Sequence, residues 1–170
     1  MAKPNRVYWD ACTWISYINE ERKITRSDGT VERRFAMCDA VLKQAQSGEI
    51  EIVTSAFTLA EVCKSAKAVN ENLGKLPHFL DHTFILVVPV NKMVGLKAQQ
   101  LQTSHVSGIK PPDAVHIASA QVSNAREFHS FDRALISKDG QINSDNGQPI
   151  QCCQPGEGQP APTLFSPPKA

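Results

Sequence analysis

Arg6-Val-Tyr-Trp-Asp10 runs straight into Ala11-Cys-Thr-Trp-Ile-Ser-Tyr-Ile18, so a short apolar run ends on an acid and the next apolar residues recur at helical spacing. The first run predicts a buried strand over 6–10 and the second a helix, with Asp10 where one hands over to the other. The same unit repeats downstream. Phe35, Met37, Cys38, Val41, Leu42 and Ala45 recur at helical spacing before Gly48, which suits a helix end. Ile50-Glu-Ile-Val-Thr54 reads as a strand, and Thr54 or Ser55 is placed to cap a helix through Phe57, Leu59, Ala60, Val62, Cys63 and Ala66. Residues 73–82 suggest a short helix, Phe84-Ile-Leu-Val-Val88 a buried strand stopped by Pro89, and 91–104 another helix. Lys110-Pro-Pro-Asp-Ala-Val-His-Ile-Ala-Ser-Ala120 opens a helix that runs to Val122, its prolines in the first positions where a missing N–H costs nothing. Arg126-Glu-Phe-His-Ser-Phe131 reads as a short strand and Asp132-Arg-Ala-Leu-Ile136 as a turn into a helical segment. Strands alternating with helices predict an α/β fold: a three-layer α/β/α sandwich on a short, mostly parallel sheet of roughly four or five strands.

A chain of 170 residues suits one domain, in which roughly 70% of the unfolded surface is buried. That domain is expected over 1–137. A charged insertion at 19–34 gathers Arg22, Lys23, Arg26, Arg33 and Arg34 around the Asp28-Gly29 turn signal. It reads as a flexible, solvated loop or, equally on charge, as an RNA-contacting one. From 138 to 170 the composition shifts to Gly, Pro, Gln, Asn and Ser, which builds little core; a tail is expected there, with a short hairpin around Asp145-Asn-Gly147. The net charge of +1 exerts no global pull on nucleic acid, so any basic footprint must be local. No apolar run approaches a membrane span and the first residues lack a secretion signal, which predicts a cytoplasmic protein. Cys12, Cys38 and Cys63 sit singly in apolar segments and there is no Cys-x-x-Cys, so structural zinc is not expected.

Asp113, just inside its helix, suits the positive end of the helix dipole. Three other acids meet it at the same place in the fold. Asp10 ends a strand, Glu61 comes about two helical turns after one, and Asp132 directly succeeds another. In a parallel α/β sheet these positions all fall at the carboxyl edge, where such sheets hold ligands. Carboxylates gathered there repel unless a cation offsets them, and hard Mg²⁺ or Mn²⁺ prefers oxygen ligands while keeping waters for a phosphate-bearing substrate. The chemistry this predicts is metal-assisted hydrolysis of a nucleic-acid backbone.

Val7-Tyr-Trp-Asp10, Thr54-Ser-Ala-Phe-Thr-Leu-Ala-Glu61, Pro112-Asp-Ala-Val-His-Ile-Ala-Ser-Ala120 and His129-Ser-Phe-Asp132 together resemble the PIN domain family, including the VapC-type toxin nucleases, over residues 6–136. The resemblance implies a Mg²⁺- or Mn²⁺-dependent ribonuclease with Asp10, Glu61, Asp113 and Asp132 as its acidic quartet and metal ligands. It also implies an antitoxin partner, which would block the groove by inserting Arg or Lys among the acids, and a homodimer. Family members commonly carry Asn or a hydroxyl residue two positions after the first acid; this chain has Cys12 there and Thr13 next. Ser130 matches the hydroxyl residue often found near the fourth acid, where it would hold a metal water or phosphate, or stand as an ordinary strand serine. His116, one turn after Asp113, either reaches the site to contact phosphate or shuttle a proton, or packs beneath it. Lys64 and Lys67 are spaced to flank an RNA groove. A phosphoacceptor receiver is disfavoured because the strand at 84–88 ends in Pro89, and a haloacid-dehalogenase-type phosphatase because Asp10-Ala-Cys12 lacks Asp-x-Asp. The rival is a catalytically inert PIN-like scaffold that binds RNA or protein.

Overall fold

The computed structural model describes residues 4–64, 71–104, 106 and 108–158. Strands β1 (Asn5–Trp9), β2 (Ile24–Thr25), β3 (Val31–Glu32), β4 (Ile50–Ser55), β5 (Ile85–Val88), β6 (Glu127–His129) and β7 (Gln151–Cys153) are interleaved with helices. The helices are α1 (Ala11–Ile18), α2 (Arg34–Gln46), α3 (Thr58–Glu61), α4 (Glu71–Phe79), α5 (Lys92–Thr103), α6 (Pro111–Val122) and α7 (Arg133–Ile136). The main sheet has five strands in the order β5-β4-β1-β6-β7, and every pairing in it is parallel.

The period-two alternation of β1 divides the core. Val7 and Trp9 enter an apolar cluster with Trp14, Ile18, Cys38, Leu42 and Leu76 from α1, α2 and α4. Tyr8 points to the other face, into a cluster with Val94, Ala98, Leu101, Ala114, Ile117 and Phe128. Helices thus cover both faces, as a parallel sheet requires. The Ala and Ser residues of α6 let it approach the sheet closely, and Ala114, Ala118, Ser119 and Ala120 are all buried.

Three local expectations change. The segment 19–34 is largely exposed, as a solvated segment would be, but it is not a plain loop: β2 and β3 form an antiparallel ribbon anchored by Glu32, which is 5% exposed. Its carboxylate accepts from Arg26, from Arg34 Nε at 2.8 Å and from Gln154 Nε2 at 2.8 Å, which offsets the cost of burying the charge. The segment beyond 137, expected as a tail, supplies the edge strand β7 and buries Ile142, Ile150, Cys152 and Cys153. The expected turn at Asp145-Asn-Gly147 folds this segment back, with a bridge between Asn143 and Pro149, so that two isolated isoleucines meet the core together. Residues 159–170 lie outside the described residues. Thr54 and Ser55 also stay in β4 instead of capping a long helix. Thr54 Oγ1 is engaged with the Trp9 carbonyl at 2.9 Å and the Trp14 indole at 3.1 Å. The helix after β4 is the single turn α3, tightened into a 3-10 turn over Val62–Lys64; Ala66 lies outside the described residues.

Candidate active site

β1, β4 and β6 are neighbours and parallel, so the residues leaving their carboxyl ends converge. Asp10 leaves β1 and caps α1, accepting from the Thr13 backbone N–H at 2.8 Å. The Thr13 hydroxyl donates to the same oxygen at 2.9 Å, so both Thr13 groups hold the Asp10 carboxylate. Cys12 takes up the support that a hydroxyl would give. Its Sγ lies 3.1 and 3.2 Å from the two Asp10 oxygens and 3.3 Å from Ser130 Oγ. Burial and the Asp10 charge push the Cys12 thiol well above its ordinary pKa, so it remains an S–H donor. Ser130, fully buried, accepts from the Asp132 backbone N–H at 3.0 Å. A continuous chain of contacts therefore runs from Asp10 through Cys12 and Ser130 to Asp132. Asp132 itself caps α7, accepting from Ala134 N–H at 2.8 Å.

Glu61 ends α3 and meets α6 through His116, whose Nε2 is 2.6 Å from its carboxylate. On the other side of the ring, Nδ1 is 2.7 Å from the Tyr8 hydroxyl. Burial, reinforced by Asp10, pushes Tyr8 well above its ordinary pKa, so the phenol keeps its proton. In the neutral imidazole the Tyr8 O–H donates to Nδ1 and the Nε2–H donates to Glu61. His116 is 2% exposed, so of its two sequence readings it takes the one beneath the site. Nothing in the sequence singles out Tyr8 beyond its place on the opposite face of β1 from Val7 and Trp9.

Asp113 lies in the first turn of α6. Its carboxyl pKa is raised by partial burial first and then by the charge of Asp132; His116 opposes this ahead of a further rise from Asp10, and Lys110 opposes it last. Asp10, Asp113 and Asp132 thus share one field at the carboxyl edge, and Glu61 stands over His116 beside them. The donor set is all oxygen, which fits a hard divalent cation better than zinc or copper. Among the described residues, no three of these carboxylates bring their oxygens within 4.8 Å of one another.

A tighter group, Glu127, His129 and Cys153, lies at the β6–β7 pairing. Its chemistry is set by Trp9, whose indole N–H donates to His129 Nδ1 at 3.2 Å. Nδ1 must then be the unprotonated nitrogen, leaving the Nε2–H to donate to Glu127 at 2.8 Å. His129 has no free lone pair to offer an ion, and the group reads as a satisfied polar pair beside a buried thiol.

Of the basic residues near the edge, Arg26 and Arg34 are committed to Glu32, and Arg22 pairs with Glu20 while its guanidinium sits over the Phe35 ring. Lys23 and Arg33 are exposed with no ion pair among the described residues. Lys67 and the side chain of Lys64 lie outside the described residues.

The PIN domain family profile matches residues 7–141. No curated protein matches the sequence. Among solved structures, Mycobacterium tuberculosis VapC20, described as a Sarcin-Ricin loop cleaving toxin, is similar at a TM-score of 0.55 and 15% identity, over 75% of this chain and 90% of that one. VapBC2 from Rickettsia felis, bound to a DNA fragment from their promoter, is similar at a TM-score of 0.55 and 18% identity, over 86% of this chain and 98% of that one. At these identities the likeness is one of fold.

Proposed function

We propose, from the premise that this chain belongs to the PIN domain family, that it is a metal-dependent endoribonuclease hydrolysing RNA phosphodiester bonds. The observation that carries the reading is the coupling of Asp113 to Asp132 and Asp10 at the carboxyl ends of neighbouring parallel strands. PIN nucleases generally use divalent metal ions. Here Asp10, Glu61, Asp113 and Asp132 would hold Mg²⁺ or Mn²⁺. Such an ion supplies charge for a phosphoryl oxygen and acidifies a bound water. The chain's own residues do the rest. Thr13 and Cys12 orient Asp10, His116 orients Glu61, and Ser130 holds the peptide N–H of Asp132. Exposed Lys23 and Arg33 are suited to the phosphates of a bound strand, positioning it without reading its sequence.

Incubation with total RNA and Mg²⁺ or Mn²⁺, with and without chelator and beside an Asp113→Asn variant, tests the reading. Cleavage that needs both metal and Asp113 is expected. RNA binding without cleavage, unaffected by chelator, would replace the nuclease with the inert scaffold.

A protein partner acting as antitoxin would insert an Arg or Lys among the acids, because a guanidinium or ammonium satisfies the same carboxylates as the metal. The expectation draws on the fold shared with a toxin and with VapBC2. A small neighbouring protein that co-purifies, inhibits cleavage and loses inhibition when that basic residue is replaced would establish it. A homodimer would be served by the exposed Met93 and Leu96, which lie three residues apart on one face of α5. Light scattering on the wild type and on Met93→Glu reads that association.

A further inference from the structure

We propose that the β2–β3 ribbon is a positioning element for Asp132, with Arg26 and Asp28 as its positioning residues; this rests on the nuclease reading of the acidic edge. Compact alternation of strand and helix does not need this ribbon, which sits between α1 and α2 and, among the described residues, forms a two-stranded sheet of its own. Its side chains nonetheless reach both chain neighbours of Asp132, Phe131 and Arg133. Arg26 Nη2 donates to the carbonyl of Phe131 at 2.9 Å, the peptide immediately before Asp132. Arg133, immediately after Asp132, donates to the Asp28 carboxylate at the ribbon's turn. From the start of α2, next to the ribbon, the Arg34 guanidinium lies 4.7 Å from the centroid of the Phe131 ring. Asp132 is thus bracketed on both sides by contacts from one element.

The bracket has a rigid base. Glu32 is buried, and burial drives its pKa up, but the hydrogen bonds from Arg26, Arg34 and Gln154 together more than offset this and hold the carboxyl below its ordinary range. Arg26 therefore spans from a buried charged anchor to the Phe131 carbonyl, with its Nε on Glu32 and its Nη2 on the loop. A planar guanidinium fixed at one edge presents its other donors in a set direction. The inner side of the loop is fixed independently, because Ser130 Oγ holds the Asp132 N–H and Cys12 Sγ accepts from the Phe131 N–H at 3.3 Å. The backbone that carries Asp132 is thus held from below by Ser130 and from outside by the ribbon, while its carboxylate caps α7 at Ala134 N–H. A support of this kind acts through the residue it orients, and removing one outside a metal's direct ligands costs about tenfold in metal affinity or more.

The test is a double-mutant cycle in Mn²⁺ binding, measured by calorimetry on the full chain with Arg26→Ala, Asp132→Asn and the two combined. Arg26→Ala is expected to weaken Mn²⁺ binding about tenfold, and to weaken it little further when Asp132 is already Asn. In RNA cleavage the single variant should lower kcat with KM held, and Arg26→Lys, which keeps the charge, should recover part of the loss. Amide resonances of residues 130–133 in the metal-free Arg26→Ala protein should shift. Because Arg26→Ala also strips a donor from buried Glu32, Asp28→Asn is run in parallel, since it releases only the exposed Arg133 and leaves the anchor intact. It should show the same coupling at smaller amplitude. Multiplicative losses in the cycle, or losses in thermal stability and KM alone, overturn the proposal. The calorimetric cycle is decisive whether or not the wild type cleaves RNA, so absence of cleavage alone counts against the nuclease reading and absence of coupling counts against the ribbon.

Discussion

His116 Nε2 and Glu61 Oε2 stand 2.6 Å apart, although the two residues are 55 positions apart in the chain and lie on different helices. The other ring nitrogen is taken by Tyr8 from the central strand. One buried imidazole thus ties β1, α3 and α6 together directly under the acidic edge.

Breaking that tie should be costly. His116→Ala removes a buried ring and leaves both the Tyr8 hydroxyl and Glu61 short of a partner, so a loss of about 2–4 kcal/mol in chemical denaturation is expected. Tyr8→Phe strands only Nδ1 and should cost about 1–2 kcal/mol. The two should be less than additive in the combined variant, because the second change removes a partner already lost.

Asp113 carries a sign that can be checked without substrate. Its pKa in the folded protein is raised by burial, Asp132 and Asp10. The stability this group contributes is therefore full below its unfolded pKa and is lost as pH rises through the folded value, so at pH 7 it is a liability in metal-free protein. Asp113→Asn should raise the Tm in chelator by about 2 °C. It should also weaken the stabilisation of the wild type by added Mg²⁺ or Mn²⁺, which grows with ion concentration as a bound ligand requires. A Tm in chelator that falls on substitution would mean the helix dipole dominates at Asp113.

Glu32 predicts the opposite pH response. Its folded pKa lies below the unfolded one, so its contribution is present above the unfolded carboxyl pKa and is lost as pH falls through the folded value. Acid titration of stability should be shallower in Glu32→Gln than in the wild type. The variant should also be destabilised by about 3 kcal/mol at neutral pH, because Arg26 and Arg34 are left without their shared, nearly buried partner.

Thiol reactivity separates the cysteines. Burial pushes Cys12, Cys38 and Cys153 well above the ordinary thiol range and Cys152 up to about 12, whereas Cys63 is exposed. Iodoacetamide on the native protein at pH 8 should therefore modify Cys63 first, with the other four labelled only on denaturation. Peptide mass spectrometry reads the order. Cys12→Ser, which retains a donor to Asp10, should preserve RNA cleavage better than Cys12→Ala.

Much of the architecture was legible because it rests on local periodicity. Apolar runs of strand length, helical spacing from Phe35 to Ala45, and the prolines opening α6 each report a backbone preference that tertiary contacts reinforced. Asp10 and Asp132 were legible for a related reason: in a parallel sheet, a residue just after a strand is at the carboxyl edge wherever that strand stands. Residues 138–153 were not legible as part of the sheet. Ile142 and Ile150 lie eight apart among polar residues, and only the turn at Asn146-Gly147 brings them together against the core.

The sequence by itself determined the strand–helix alternation and the standing of Asp10 and Asp132 just past the ends of parallel strands, because periodicity and position relative to strand ends do not depend on distant contacts. Only the tertiary structure decided that Cys12 bridges Asp10 to Ser130, that His116 lies buried against Glu61, and that Arg26 spans a buried glutamate and the peptide beside Asp132. These are side-chain pairings between residues far apart in the chain. Their partners are fixed by packing across the sheet, which no local pattern encodes.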